Sequence, residues 1–408
     1  MNVDVAIVGG GLVGASLALA LAPTGLRVAL IEGVAPDAQS QPSFDDRTTA
    51  LGNGTRRTFE ALGLWSQVLP QAAPIRHIHV SDAGRFGFAR LAAEEHGLEA
   101  FGYVVTNRRL GAALHAALGA HATLELRMPA QCTSLVATDE AVTVTTLPTA
   151  TPLQARLVVA ADGAQSQVRA AAGIAAGLED YRQVAIVAHV RASRAADGTA
   201  YERFTPTGPF AVLPLHDGAY GVVWTLEPLQ AERVLALSDK EYLLALQQAF
   251  GWRAGRLQQV GRRSAYPLKL TRADRLTGQR VVLIGNAAQG LHPVAGQGFN
   301  LGLRDAATLA EVIGEAVARA GVQADVGAPA VLAEFAARRR ADRDGVTRFT
   351  DGLVKLFGDT RAGVPLLRDL GLLLFDLSPT AKQALSRLSW GFAGRMPRLS
   401  RGLGVMTR

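Results

Sequence analysis

The sequence predicts a mixed α/β protein: a parallel, nucleotide-type sheet, interrupted by a second β-sheet and followed by helices. Three observations lead there. The chain opens with an apolar run, Val3 to Val8, that passes through three glycines into a small-residue helix, Ala15 to Ala22. Two more short apolar runs, Leu157 to Ala161 and Val281 to Ile284, also end in turns of glycine and a polar residue. Between them, Tyr181 to Glu227 is rich in β-formers. Strands alternating with helices read as parallel units, and strands inserted among them read as a second layer.

The elements follow in order. After the first strand, Gly9, Gly11 and Gly14 fill a dinucleotide fingerprint. Gly9 permits the tight turn, Gly11 lets a pyrophosphate approach the backbone, and Gly14 lets helix and strand pack closely. A second strand, Arg27 to Ile31, ends at Glu32, at the distance where an acid accepts a ribose hydroxyl. The fingerprint alone does not separate FAD from NAD. Arg47 stands just ahead of a helix, Gly54 to Leu62, where it could hold a phosphate or a cofactor edge, or simply pair with Asp45. Ile75 to Arg90 reads as strands turning at Asp82 to Gly84. Asn107 and Arg108 open a helix whose apolar face is Leu110, Leu114 and Leu118. Short strands fill Leu124 to Leu147. The strand Leu157 to Ala161 runs into Asp162-Gly163, with Ser166 and Arg169 over a helix start. In the inserted sheet the candidate strands are Val184 to Val190, Phe210 to Leu215 and Tyr220 to Leu226, the last two joined by a hairpin at His216 to Gly218. Leu235 to Phe250 is expected as one helix, and Ala265 to Leu270 leads back to the first sheet.

The stretch Val281 to Asp305 concentrates the most unusual chemistry. Gly285 and Asn286 end its strand, and strand ends are where open α/β sheets bind ligands. Pro293 stiffens the loop, and Gly296, Gln297 and Gly298 leave its backbone nearly bare. A helix follows, with Leu301, Leu309, Val312, Ile313 and Val317 on one face and Asp305 in its early turns. A glycine-rich loop entering a helix presents free N–H groups and the positive end of a dipole, so an electron-rich ligand is expected there.

Composition narrows the rest. The 408 residues are 49% hydrophobic and 19% charged, which is globular. A single cysteine, Cys132, excludes an internal disulfide, a Cys-x-x-Cys redox centre and thiolate metal clusters, and suits a reducing cytosol. His189, His216 and His292 show no metal-ligand spacing, so no metal is expected. The net charge of +7 is spread widely, which argues against a nucleic-acid face. Arg338 to Arg340 is an exception that marks a charged helical face. The other is the final segment, where Lys382, Arg387, Arg395, Arg398 and Arg401 accompany Leu385, Leu388, Trp390, Phe392, Met396 and Leu399. Two readings stay open for it: a basic tail on an anionic bilayer, or a helix packed on the body with its arginines in water. Val5 to Ala22 lacks charge, but it has no preceding cation and is broken by glycines, so neither a signal nor a span is expected. Arg368, Asp369 and Asp376 likewise argue against a span at Leu366 to Leu374.

Taken together, the amino-terminal glycines, Asp162-Gly163 and the late Gly285-Asn286 resemble the three motifs of the flavoprotein aromatic hydroxylases, the single-component FAD monooxygenases. The late motif departs from the common form, with Asn286 for Asp and Gln289 for the frequent His. That variant looks like the ubiquinone-biosynthesis branch. Its Gly-Asn-Ala-Ala-Gln run is most similar to the hydroxylases of 2-octaprenyl-6-methoxyphenol. The resemblance covers nearly the whole chain and implies a Rossmann-like FAD-binding domain from residues 1–72, 98–178 and 266–340. It implies a substrate-binding β-sheet from 73–97 and 179–265, and a helical region from 341–408.

By resemblance, Glu32 binds the adenosine ribose, Arg47 and Arg108 lie along the FAD, Asp162 and Gly163 hold the cofactor, and Asn286 meets its hydroxyls. Gly285, Gly296, Gln297, Gly298 and Asn300 belong to the same binding set. The implied reaction uses NAD(P)H as a visiting donor and O2 to hydroxylate a polyprenyl phenol. His292 and Pro293 are the catalytic candidates, with a structural role for His292 equally open. A cytoplasmic protein, peripheral on the inner membrane face and in contact with other ubiquinone-synthesis proteins, is the implied setting. Rival readings are a hydroxylase of another ring position or another phenol in the same family, a flavin oxidase, a halogenase and a non-catalytic FAD-bound subunit of a ubiquinone-synthesis assembly. The halogenase reading expects Trp-x-Trp, which Trp65, Trp224, Trp252 and Trp390 do not form.

Overall fold

A computed structural model describes residues 2–35, 45–148, 151–359, 361, 363–378 and 395–406. Strand Asn2–Val8 lies at the heart of an eight-stranded sheet, parallel to Val28–Ile31 on one side and Leu153–Ala160 on the other. Val281–Leu283 runs parallel outside the last of these, and Leu124–Arg127 outside Val28–Ile31. Their central stretches, Val5 to Val8, Val28–Ile31 and Leu157 to Ala160, read as unbroken apolar runs because both faces are covered. The first helix, Leu12–Leu21, is apolar on nearly every side and correspondingly buried, wedged against helices Gln297–Ala320 and Asn107–Leu118. The four expected parallel strands and the Leu110, Leu114 and Leu118 face of Asn107–Leu118 are in place.

The second sheet has nine strands, organised on the long Ala176–Ala192, which pairs antiparallel with Tyr220–Leu226 and Ser264–Ala273. Its alternation sorts side chains to two destinations. Ile186, Phe210, Val212, Trp224 and Leu226 go to one face, where helices Pro228–Ala236 and Asp239–Phe250 cover them with Tyr242, Leu246 and Phe250. Ala185, Val187, Ala211, Leu213 and Val223 point the other way and line a cavity. A small sheet of Thr48–Gly52, Ala73–Ile75 and Gly102–Thr106 flanks that cavity.

Two expectations need correction. The helix expected over Leu235 to Phe250 is the second of two. The chain breaks at Leu237, and Ser238 restarts it with a capping box, its backbone N–H donating to Glu241 Oε2 at 3.0 Å. The strand Thr199–Thr205 was hidden by its central Glu202 and Arg203. It is held between its hairpin partner Gly208–Pro214, antiparallel, and His77–Asp82, a parallel partner more than a hundred residues away in sequence.

The C-terminal region is helical, with Pro329–Gly358 and Val364–Asp376. No helix among the described residues is long and apolar enough to cross a membrane. Residues 395–406 pack on the body: Leu399 and Val405 are buried, Arg395 reaches Glu311 at 3.4 Å, and the Arg398 N–H donates to Glu311 at 2.6 Å. That end follows the packed reading of the tail. Lys382, Leu385, Arg387, Leu388, Trp390 and Phe392 lie outside the described residues.

The layers are tied together by one buried carboxylate. Asp305, fully buried on helix Gln297–Ala320, accepts from Arg339 Nε at 2.7 Å, from the Gly285 N–H at 3.1 Å and from Gln289 Nε2 at 2.8 Å. Arg339 continues to Asp342 at 2.6 Å, and Arg304 meets the same carboxylate at 2.8 Å. Arg343 joins through Gln289 Oε1. Burial alone would lower the pKa of Arg339, but the carboxylates of Asp305 and Asp342 outweigh it and leave it raised. The Arg338 to Arg340 run is therefore not simply a solvated face. Arg339 turns inward while Arg338 serves Glu311, Glu315 and Glu334. Arg339→Met strands Asp305 as an uncompensated buried charge and should cost about 3–5 kcal/mol in urea unfolding. A loss under about 1 kcal/mol would show that the pair does not hold these layers.

Candidate active site

Between the two sheets lies one cavity of about 1600 Å³. A single small ligand occupies roughly 300–1,000 Å³, so this space suits a cofactor and a substrate together. The glycine loop forms one end. Gly9 has φ +107°, and a Cβ there would sit 2.3 Å from the Ala161 carbonyl oxygen. At Gly14 a Cβ would sit 1.9 Å from the Gly9 oxygen. Only glycine lets the helix start so close to the strand. That helix has no capping side chain and no acid in its first turn, so its N–H groups remain for a ligand. Glu32 stands at the rim, its Oε2 accepting the Gly10 N–H at 2.7 Å and its Oε1 the Val34 N–H at 3.0 Å.

Asp162 holds one end of the next turn. Its Oδ2 accepts the Val168 N–H at 3.1 Å, while its buried Oδ1 has no hydrogen-bond partner among the described residues. A buried carboxylate oxygen left open beside a cavity calls for a donor from a ligand. Gly163, at φ +85°, turns the chain along the cavity wall. Across from it, Asn286 projects exposed from the Gly285 turn that Asp305 anchors. Pro293, Gly296 and Gly298 line the same space, and the helix beginning at Gln297 also lacks a cap and an early acid. Arg47 lines the cavity over the Tyr266 ring at 4.7 Å and also pairs with Asp45 at 2.6 Å.

Other expected residues are not brought to the cavity. Arg108 is exposed and pairs with Asp46 at 2.9 Å. Gln297 and Asn300 are buried behind the wall. The Asn300 amide oxygen accepts from the Gly52 N–H and the Thr55 hydroxyl, and its nitrogen donates to Ala50 and Gly296 carbonyls, so it fastens the loop rather than a ligand. Gly14 acts from behind through its packing. His292 also lies outside the lining. Its Nδ1 accepts the Val294 N–H at 3.2 Å, its Nε2 faces Gln183 Oε1 at 3.3 Å, and its ring edge meets Tyr181. It braces the loop, and Pro293 is the member of the pair that faces the cavity.

The sequence reading missed Gln289, Arg339 and Arg343, which carry the Asp305 network, and Tyr266, whose hydroxyl donates to Asp45 at 2.9 Å. A basic run on a helix next to an inward-facing acid was the available signal. Cys132 also lines the cavity, but burial and then nearby Asp162 raise its thiol to about 11, so it stays protonated.

Comparison with known proteins decides the family. An FAD binding domain model matches residues 2–349. The chain is 40% identical to ubiquinone hydroxylase UbiL of Rhodospirillum rubrum, over 98% of this chain and 93% of that one. It is 31% identical to 3-demethoxyubiquinol 3-hydroxylase of Escherichia coli, over 95% and 98%. The chain belongs to the FAD-dependent hydroxylases of ubiquinone biosynthesis. The fold agrees with p-nitrophenol 4-monooxygenase PnpA from Pseudomonas putida DLL-E4, at a TM-score of 0.79 and 20% identity over 97% and 99% of the chains. As a member of this family the protein is a flavin-dependent monooxygenase. The open Asp162 oxygen and the glycine cradle fit its cofactor.

Two measurements test this geometry. Asp162→Ala removes the open acceptor and should weaken FAD binding by about 10–100-fold, read by flavin fluorescence titration. Burial holds His292 at about 4 against an ordinary 6.5, so it is neutral in the folded protein. The unfolded chain takes up that proton first. This contribution to stability is complete above pH 6.5 and is lost as pH falls towards 4, about 3 kcal/mol in all. His292→Gln should flatten the fall in unfolding free energy between those limits. An unchanged pH slope would place the titration elsewhere.

Proposed function

We propose that this hydroxylase adds oxygen to the ring of a polyprenyl phenol, using NAD(P)H as a transient donor and O2. The Gly-Asn-Ala-Ala-Gln run favours 2-octaprenyl-6-methoxyphenol as that phenol. The observation that supports the reading is the continuity of the cavity. It begins at polar glycine turns and runs on without a wall between side chains such as Ile78, Val80, Leu91, Val187, Leu213 and Phe204. A polar head and an oily extension can both be accommodated.

FAD, when bound, supplies the electron storage and oxygen activation that no side chain offers. The protein's residues do the rest. The first helix would meet the pyrophosphate, with Glu32 on the adenosine ribose and Asp162 and Asn286 on cofactor hydroxyls. The helix from Gln297 would place its positive end at the flavin ring, where it favours negative charge by roughly 0.3–2 kcal/mol. The apolar face of the second sheet keeps water from the reacting ring.

The test is a purified, FAD-loaded enzyme given a prenyl phenol. NAD(P)H oxidation should depend on the phenol, and the product should carry one more ring oxygen. Asn286→Ala should reduce that turnover at least about tenfold through loss of cofactor hydrogen bonds. Peroxide release indifferent to phenol would instead favour an oxidase. Normal ubiquinone synthesis in cells whose copy cannot hold FAD would favour a non-catalytic subunit.

A further inference from the structure

Helix Val364–Asp376 has its polarity reversed. A helix on the outside of a protein in water turns its leucines inward and its charges out. Here all three charged residues face the body. Arg368 is buried, with Nε 2.9 Å from Asp82 and Nη1 3.0 Å from both the Leu356 and Phe357 carbonyls. Asp369 is buried against Gly87, where any side chain would run into it. Asp376 accepts the Arg90 N–H at 2.7 Å. The outward face carries Leu366, Leu367, Leu370 and Leu374 at 53%, 70%, 44% and 67% exposure, with Leu377 at 78% just beyond. Phe86 is also exposed, on the tight turn beside Gly87.

The same helix is a wall of the cavity. Arg368, Leu372 and Phe375 line it from inside, and Leu367 both lines it and faces solvent. The cavity therefore reaches the surface at the leucine face. We propose that this face docks on the lipid bilayer and that a polyprenyl chain passes from the membrane into the cavity beside Leu367. The proposal rests on the polyprenyl-phenol reading above. The occupant is a bilayer because the patch and the cavity are continuous, so whatever covers the leucines also covers the entrance. A protein partner there would close the site, whereas lipid would deliver an oily substrate to it. The net charge of +7 favours an anionic leaflet. Arg85 and Arg90 on the adjoining hairpin and Lys355 and Arg361 at the other end of the helix ring the patch with cations, each already paired with an acid. Apolar insertion therefore leads and electrostatics assists.

The experiment uses the full-length, FAD-loaded protein and vesicles of phosphatidylethanolamine with phosphatidylglycerol. The test variant is Leu370→Glu with Leu374→Glu, two residues that do not line the cavity. The parent should float with the vesicles and the variant should bind at least about tenfold more weakly. Hydroxylation of a soluble short-prenyl phenol should be unchanged, while that of a long-prenyl phenol embedded in the vesicles falls by a similar factor. Equal binding by parent and variant would overturn the proposal, as would a parent that stays off the vesicles. A variant that melts several degrees lower would show that the face is covered by the chain's own residues 379–394. A parent dimer that the variant converts to monomer would show a second copy on it. Either result overturns the proposal. If the parent binds vesicles through these leucines yet hydroxylates no prenyl phenol, the docking surface stands and the substrate reading falls.

Discussion

The carboxylate of Asp305 is the constraint on which the site depends. A strand end can hold a ligand only if the turn after it is fixed, and the turn at Gly285 has no side chain of its own to fix it. Asp305 supplies that from the next helix through the Gly285 N–H and Gln289. A charge placed there must be matched, and Arg339 matches it from the following helix. Three segments that bring Asn286, the late glycine loop and the C-terminal region together thus share one ion pair. An apolar substitute of equal volume could be as stable. It could not position a backbone N–H and a Gln amide at the same time.

The second sheet solves a different problem with a simpler rule. Period-two alternation puts Phe210, Trp224 and Ile186 under two covering helices and leaves Ala185, Ala211 and Val187 for the cavity. The aromatic residues go where the sheet needs packing, and the small ones go where a ligand needs room. A one-residue slip in register would exchange the two sets, closing the cavity and emptying the core. The many antiparallel pairings along Ala176–Ala192 resist such a slip.

Much of this was legible in the residues. The parallel strands, the glycine fingerprint and the strand-end turns at Asp162 and Gly285 all lie in local patterns, because each depends on neighbours in sequence. The residues misjudged were those whose role is set from a distance. Asn300 resembles a ligand-binding amide until Gly52, Ala50 and Thr55 take its hydrogen bonds. His292, for which a structural role was equally open, sits behind the loop, and Arg108, expected along the cofactor, pairs with Asp46 at the surface. Thr199–Thr205, charged at its centre, is held as a strand by two partners, the hairpin strand Gly208–Pro214 and the distant His77–Asp82. In each case the local residue type was right for the chemistry and the tertiary partner decided otherwise.

The helix Val364–Asp376 shows the same principle with a functional consequence. In sequence, Arg368, Asp369 and Asp376 argue against burial in lipid, since charges inside an apolar run are costly there. That inference counts charges without knowing where they point. Once Asp82 and the Arg90 backbone hold Arg368 and Asp376 inward, and Asp369 is buried against Gly87, the same composition gives a helix whose outer surface is entirely uncharged. Charges that would forbid a spanning helix instead hold this one to its own protein, and they do so at the wall of the cavity. The polar grip on the helix and its oily outer face are therefore parts of one arrangement, because neither could be kept at the cavity mouth without the other.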